Sequence, residues 1–166
     1  MQKSQSFRLT YLLGLILVAM LLGSAYYIEI FDHINPCPLC LLQRMCMAAL
    51  GAIFIMGALF KLKKCAHLFL GFLGLIISIS GLLFAGRQVW LQYSPPSTSG
   101  DCSASLSYLY NVLSIKDLLI QVWKGGMECS QTGGQFLHLS LAAWSLIAFI
   151  ILYLIVIVQI IRAIKK

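Results

Sequence analysis

Residues 136–161 read FLHLSLAAWSLIAFIILYLIVIVQII and contain no Asp, Glu, Lys or Arg. A helix needs about 20 predominantly apolar residues to cross the roughly 30 Å hydrocarbon core of a bilayer. Three other stretches are similarly long and apolar: residues 9–28, 41–60 and 65–85. The sequence therefore predicts an all-α membrane protein in which four transmembrane helices form a single bundle.

The composition supports this fold class. Of the 166 residues, 60% are hydrophobic and 10% are charged, whereas about 25% of the residues in a soluble domain are charged. A soluble chain of this length could not bury so much apolar surface, because surface-to-volume scaling limits its core. The excess is expected to face lipid, and the length predicts one four-span membrane domain, residues 1–166. The first span is expected to be a retained anchor, since its apolar stretch is longer than a secretory signal core and no convincing cleavage site follows.

The charged residues predict the orientation of the spans. One side of the arrangement holds eight basic residues and no acidic ones: Lys3, Arg8, Lys61, Lys63, Lys64, Arg162, Lys165 and Lys166. The other side holds all five acids and four basic residues: Glu29, Asp32, Asp101, Asp117, Glu128, Arg44, Arg87, Lys116 and Lys124. Because basic residues that flank spans stay cytoplasmic, both termini are expected inside and loops 29–40 and 86–135 outside, in the periplasm. The net charge of +7 then reflects topology, and no nucleic-acid partner is expected.

Four of the six cysteines fall in these outer loops: Cys37, Cys40, Cys102 and Cys129. Disulfides persist outside the cytosol, so the outer thiols are expected to form two pairs. Cys46 falls inside the second span and Cys65 at the cytoplasmic turn, and both are expected to be small apolar residues without chemistry.

The second outer loop has a helical pattern of its own. Between residues 106 and 123, apolar residues recur at the spacing of an amphipathic helix that is too short to span. We expect this short helix to lie in the membrane interface with Trp123 at headgroup depth, or to pack on the end of the bundle. Residues 94–100, SPPSTSG, are rich in turn formers and lead to Cys102. Paired glycines bracket Cys129, and flexible flanks of this kind allow a cysteine to change partners.

The motif Cys37-Pro-Leu-Cys40 precedes the second span. Pro38 is suited to the first helical position, where its missing N–H is not needed. The positive end of the helix dipole would then lie beneath both thiols and favour the thiolate form, which makes the disulfide a better oxidant. A static structural disulfide is an alternative. Zinc is not expected, because the outer face offers few other ligands at suitable spacing: His33, His138, Cys102 and Cys129.

Arg44 lies four residues after Cys40, so it occupies the same helix face one turn deeper. A charged residue within a span costs energy and is usually functional. One interpretation is a fixed cation that stabilises negative charge as it develops on a thiolate and an electron acceptor. The alternative is an arginine whose head reaches the headgroup boundary.

Together these features resemble the disulfide bond formation protein B (DsbB) family of bacterial inner-membrane oxidoreductases, over most of the chain. The resemblance rests on the four-span topology, the Cys37-Pro-Leu-Cys40 motif with Arg44 and the Cys102…Cys129 pair. It also rests on two segments at the third and fourth spans: GRQVWLQ at 86–92 and FLHLSLAAW at 136–144. Gln88 departs from members that have a histidine near this position, which leaves the quinone contacts of the third span open.

The resemblance implies a route for electrons. A reduced periplasmic thioredoxin-fold oxidase (DsbA-like) would attack Cys102, the released Cys129 would attack Cys37, and Cys40 would leave as a thiolate. Electrons would pass from Cys40 to a membrane quinone, ubiquinone or menaquinone, held near Arg44. Arg87 is a further candidate for binding the quinone or a lipid headgroup, and His33 and His138 are candidate proton carriers.

Two other interpretations stay open. The first is a related quinone-linked thiol oxidase, dedicated to one partner or resembling vitamin K epoxide reductases. The second cysteine pair on a long loop favours the DsbB arrangement over this one. The other interpretation is a non-enzymatic four-span scaffold in which static disulfides merely staple the outer loops.

Overall fold

The computed structural model describes residues 2–32, 37–60, 64–93, 123, 135–136 and 139–164. Its helices are α1 Gln2–Asp32, α2 Pro38–Leu59, α3 Lys64–Tyr93 and α4 Leu141–Ile164. Strands β1 Gln135–Phe136 and β2 Leu139–Ser140 pair antiparallel just before α4, with Gln135 opposite Ser140. All four helices are long and apolar enough to cross a membrane. The prediction of an all-α, four-helix membrane fold is confirmed.

The beginning of the fourth helix differs from the sequence prediction. A span was expected from Phe136, whereas α4 begins at Leu141 and residue 136 belongs to β1. The reason is local, because the Ser140 hydroxyl accepts a hydrogen bond from the backbone N–H of Ala143 at 3.2 Å and so caps the helix. The same hydroxyl donates to Gln92 Oε1 at 2.7 Å, which joins the start of α4 to the end of α3.

The third helix also runs eight residues past the predicted span end at residue 85, to Tyr93. Where the hydrocarbon boundaries fall along α1 to α4 stays a prediction. The short helix predicted in the second outer loop lies outside the described residues, as do Cys102, Cys129, His33 and His138.

Consecutive helices pack antiparallel at close range, and small residues make this possible. Gly57 of α2 lies against the ring of Tyr11 in α1, and Gly81 of α3 lies against the ring of Phe149 in α4. Small residues let helix backbones approach each other where no hydrophobic effect drives association. The buried core runs through the bundle from Tyr11 to Phe149 and includes Leu50. Many large apolar side chains remain exposed on the outside, as expected of a surface that faces lipid.

The two ends of the bundle differ in charge. One end carries Lys64, whose ammonium donates to the carbonyl of Ile164 at 3.2 Å, and Arg162, whose guanidinium bonds the Thr10 hydroxyl. The opposite end carries Cys37 at the start of α2. This separation agrees with the charge distribution predicted from the sequence, and which end faces the periplasm stays a prediction.

Candidate redox site

Cys37 and Pro38 together set the start of α2. Cys37 is the N-cap residue, with extended backbone angles (φ −67°, ψ 158°), and Pro38 is the first helical residue. The carbonyl of Cys37 accepts from the N–H of Leu41 at 3.1 Å, and its sulfur accepts from the N–H of Cys40 at 3.3 Å. The motif therefore forms a helix N-terminus as the sequence predicts, and both thiols lie at its positive end.

The two sulfur atoms of the motif, Cys37 Sγ and Cys40 Sγ, lie 2.8 Å apart. A disulfide bond is about 2.05 Å long, so a small displacement would bring the sulfurs to bonding distance. Cys37 is buried and Cys40 is half-buried, within a small apolar cluster that includes Leu39 and Leu91. The pair thus lies in the groove between α2 and α3, where the surrounding side chains restrict access to water.

Two buried glutamines lie next to the pair. Gln88 of α3 donates from Nε2 to Cys40 Sγ at 3.0 Å, and the same nitrogen lies 3.6 Å from Cys37 Sγ. Its Oε1 accepts from Nε2 of Gln43 in α2 at 2.6 Å. Both side chains are buried. A hydrogen-bonded amide therefore faces the sulfur that the sequence analysis expects to become a thiolate.

These contacts were not predicted from the sequence. Gln88 was noted only as a departure from a family pattern, and Gln43 was not among the candidate site residues. A signal was available, since Gln43 follows Cys40 by three residues and so shares its helix face. Polar side chains within apolar spans are uncommon and usually face the bundle interior. That Gln88 meets Gln43 depends on the packing of α2 against α3, which local sequence does not specify.

Arg44 lies one turn below Cys40 as predicted, but its hydrogen bonds reach α1. The guanidinium forms an ion pair with Glu29, donates to the carbonyl of Ala25 at 3.2 Å, and lies 5.1 Å from the centre of the Tyr26 ring. The Arg44 side chain is 19% exposed. The cation is thus fixed between α1 and α2, with its charge partly compensated by a carboxylate that the sequence analysis had not linked to it.

Arg87 leaves α3 at the same end of the bundle. Its Nε donates to the carbonyl of Trp123 at 3.1 Å, and its guanidinium lies 5.9 Å from the centre of the indole ring. This contact attaches part of the second outer loop to α3. Whether Arg87 also binds a quinone or a headgroup stays a prediction.

The remaining described cysteines lie away from the pair. Cys46 packs against the core of the bundle, and Cys65 is exposed near the start of α3 at the opposite end. Within the ranges that the structure describes, no group of three or more His, Cys, Asp or Glu residues is arranged to hold a metal ion.

The fold and the site define a four-helix membrane protein that carries a pair of thiols at the start of a spanning helix. The model of the family "Disulfide bond formation protein DsbB" matches residues 7–159, and the chain belongs to this family.

Relatives named "Disulfide bond formation protein B" are similar over most of their length. The Nitrosococcus oceani protein is 32% identical over 147 residues, which cover 89% of this chain and 87% of the relative. The Acinetobacter baumannii protein is 34% identical over 160 residues, 93% of this chain and 94% of the relative. The Chromohalobacter salexigens protein is 35% identical over 147 residues, which cover 87% of this chain and 84% of the relative. No solved structure matches.

Proposed function

We propose that the protein is a thiol:quinone oxidoreductase of the bacterial inner membrane that reoxidises a periplasmic DsbA-like, thioredoxin-fold oxidase and so supports disulfide bond formation. The observation that carries this proposal is the Cys37–Cys40 pair, with sulfurs 2.8 Å apart at a helix N-terminus and an amide donor on Cys40. Membership of the DsbB family and the names of the relatives support it.

The surroundings of Cys40 suit a leaving group. In thiol–disulfide exchange, a sulfur leaves readily when its thiolate is stabilised. The positive end of α2 and the amide of Gln88 both favour negative charge on Cys40 Sγ. A static structural disulfide does not require a donor of this kind, which favours the redox interpretation over the scaffold.

The proposed exchange begins in the second outer loop. A thiolate of the reduced partner attacks Cys102 of a Cys102–Cys129 disulfide, forming a mixed disulfide and releasing the Cys129 thiolate. Cys129 then attacks Cys37 of the Cys37–Cys40 disulfide and releases the Cys40 thiolate. The second partner thiol resolves the mixed disulfide, and the released Cys102 attacks Cys129. This step restores the loop disulfide and leaves Cys37 and Cys40 reduced.

The electron acceptor is a substrate from the lipid, ubiquinone or menaquinone. Reduced Cys37 and Cys40 give it two electrons and two protons, so that it becomes quinol and the Cys37–Cys40 disulfide forms again. Arg44 and Cys40 are the residues that we propose to face it, with Arg87 as a further candidate. The side chains around Arg44 suit such a molecule, because Tyr26 and Met45 are exposed on the outside of the bundle. An apolar ring can approach there, and the Arg44 guanidinium can stabilise negative charge on its oxygens.

The orientation of the protein is part of the proposal. The cysteine end of the bundle would face the periplasm, with both termini in the cytoplasm, because the basic residues that flank the spans gather at the other end. This places the redox pairs in the compartment where disulfides persist.

A turnover assay tests the proposal. Purified protein, a short-chain quinone and a reduced thioredoxin-fold oxidase should give quinone-dependent oxidation of that oxidase, and Cys40→Ser should abolish it. Cys46→Ser is the matched control, since this thiol lies in the same helix and packs against the core, and it should retain turnover. Quinone reduction that survives Cys40→Ser would refute the mechanism. A wild-type protein with no quinone-dependent activity would favour the scaffold.

A further inference from the structure

The two glutamines beside the cysteine pair form an ordered hydrogen-bond chain. Gln43 and Gln88 lie on different helices, and they are only 4% and 6% exposed. A buried amide is costly unless its hydrogen bonds are made. Here the Gln43 amide donates to the Gln88 carbonyl oxygen at 2.6 Å, and the Gln88 amide nitrogen donates to Cys40 Sγ at 3.0 Å. The chain therefore runs from α2 through α3 and back to the sulfur.

The order of these bonds matters because a glutamine side chain has one donor end and one acceptor end. Gln43 occupies the acceptor end of Gln88, so the donor end of Gln88 faces the sulfurs. A reversed amide would place a carbonyl oxygen next to Cys40 Sγ, where it would repel negative charge. The direction of the Gln43 hydrogen bond thus determines that the N–H end of the Gln88 amide, and not its oxygen, faces Cys40 Sγ.

We propose that Gln88 stabilises the thiolate of Cys40 and that Gln43 is the positioning residue that holds the Gln88 amide in the donating orientation, so that together they make the Cys37–Cys40 pair a stronger oxidant. This inference rests on the redox role proposed above for the pair. Gln43 and Gln88 would thus affect the redox chemistry although they carry no charge and take no part in disulfide exchange.

The effect follows from what changes when the pair is reduced. Two electrons and one proton convert the Cys37–Cys40 disulfide to a Cys37 thiol and a Cys40 thiolate. A disulfide sulfur is a weak acceptor, whereas a thiolate is a charged acceptor that forms a stronger hydrogen bond. The bond from Gln88 therefore strengthens on reduction, which favours the reduced form and raises the reduction potential.

The test uses full-length protein in which Cys102→Ser and Cys129→Ser leave the Cys37–Cys40 pair as the redox couple. The protein is purified without quinone and equilibrated with glutathione buffers of known ratio, and the reduced fraction is read by alkylation and mass spectrometry. The rate of Cys40 alkylation at pH 7 is measured in parallel. Gln88→Leu should shift the equilibrium about tenfold towards the disulfide, about 30 mV in potential. It should also slow alkylation, by a smaller factor, because less of Cys40 is then thiolate at this pH.

A second variant separates positioning from packing. Gln43→Met removes the donor that orients Gln88 and should shift the equilibrium in the same direction by a smaller factor. In the Gln88→Leu background, the same substitution should add nothing, because the amide that it orients is gone. Gln159→Leu is the control, since Gln159 is also buried but lies on α4 towards the other end of the bundle. It should leave the potential and the alkylation rate unchanged.

Two results would overturn the inference. One is a Gln88→Leu equilibrium within twofold of the Gln159→Leu control. The other is a Gln43→Met effect that persists undiminished in the Gln88→Leu background, which would indicate packing alone. If Gln88→Leu fails to fold, the comparison of Gln43→Met with wild type takes the place of the first result, and equilibria within twofold of each other overturn the inference. Because no quinone or partner is present, the outcome is independent of the turnover assay. An unshifted potential with normal turnover refutes only this inference, whereas a shifted potential without turnover refutes only the quinone reaction.

Discussion

At the residue scale, Arg44 shows how the packing of helices modifies what the sequence predicts. Its position one turn from Cys40 follows from helical spacing alone. Its partners do not, because Glu29 and the Ala25 carbonyl belong to α1. The carboxylate and the carbonyl hold the guanidinium at the α1–α2 boundary and offset its cost in the membrane. Arg44 is thus held in place next to exposed side chains of α1 and α2, Tyr26 and Met45.

This geometry gives a prediction for Arg44→Met, which keeps the length of the side chain and removes its charge. The kcat/KM for quinone should fall by about 10²-fold, the size of effect seen when one preorganised electrostatic group is removed. Glu29→Gln keeps a hydrogen-bond acceptor for Arg44 and should have a smaller effect. Steady-state kinetics with a short-chain quinone measure both. An unchanged kcat/KM in Arg44→Met would assign Arg44 to anchoring α1 only.

Much of the candidate site could be predicted from the sequence. The contacts that could not be predicted share a physical cause. The Cys37-Pro-Leu-Cys40 motif specifies its own helix start, because capping and proline geometry are local. Gln88 and Glu29 approach α2 only after helices pack, and the packing depends on side chains distributed over the whole bundle. The role predicted for Cys102 and Cys129 stays a prediction, since both lie outside the described residues.

At the scale of elements, long apolar runs predicted four helices because the requirement for crossing a bilayer is simple. The predicted fourth span begins at residue 136, five residues before α4, because apolar residues occur ahead of Leu141 while the Ser140 cap sets the helix start. Hydropathy does not detect a cap of this kind within an apolar run. The close approach of the helices depends on individual glycines.

Gly81 gives a direct test of that packing. A methyl group at this position would overlap the Phe149 ring, so Gly81→Ala should destabilise the bundle by about 1–3 kcal/mol. Gly23→Ala is the matched control, because Gly23 is also helical and a methyl group there meets open space. Unfolding in SDS titrations, followed by circular dichroism, measures both variants. Equal midpoints for Gly81→Ala and wild type would contradict the α3–α4 packing described above.

At the scale of the whole molecule, the two ends of the bundle differ in charge. Cys65 is exposed at the basic end, and Cys40 lies at the opposite end. In sealed right-side-out vesicles, a membrane-impermeant maleimide should therefore leave Cys65 unlabelled, and it should label Cys65 in inverted vesicles. The measurement is made with the other five cysteines changed to serine. Labelling of Cys65 from the outside would reverse the predicted orientation.

The bundle brings the cysteine pair, Arg44 and part of the second outer loop to one end of the molecule. The Cys37–Cys40 pair lies between α2 and α3, Arg44 lies one helical turn away, and Arg87 contacts Trp123. In the proposed mechanism, this brings a loop that meets a protein partner close to a pair that meets a lipid-soluble acceptor. In that mechanism, the fold would link a reaction in water to one in the bilayer.

The stoichiometry of anaerobic turnover is the sharpest test of the proposed mechanism. The protein is reconstituted in proteoliposomes that contain quinone, oxygen is removed, and an excess of reduced thioredoxin-fold oxidase is added. We expect one quinol to form for each disulfide made in the oxidase, over many turnovers. Disulfides that accumulate over many turnovers without matching quinol, or the absence of any quinol, would contradict it.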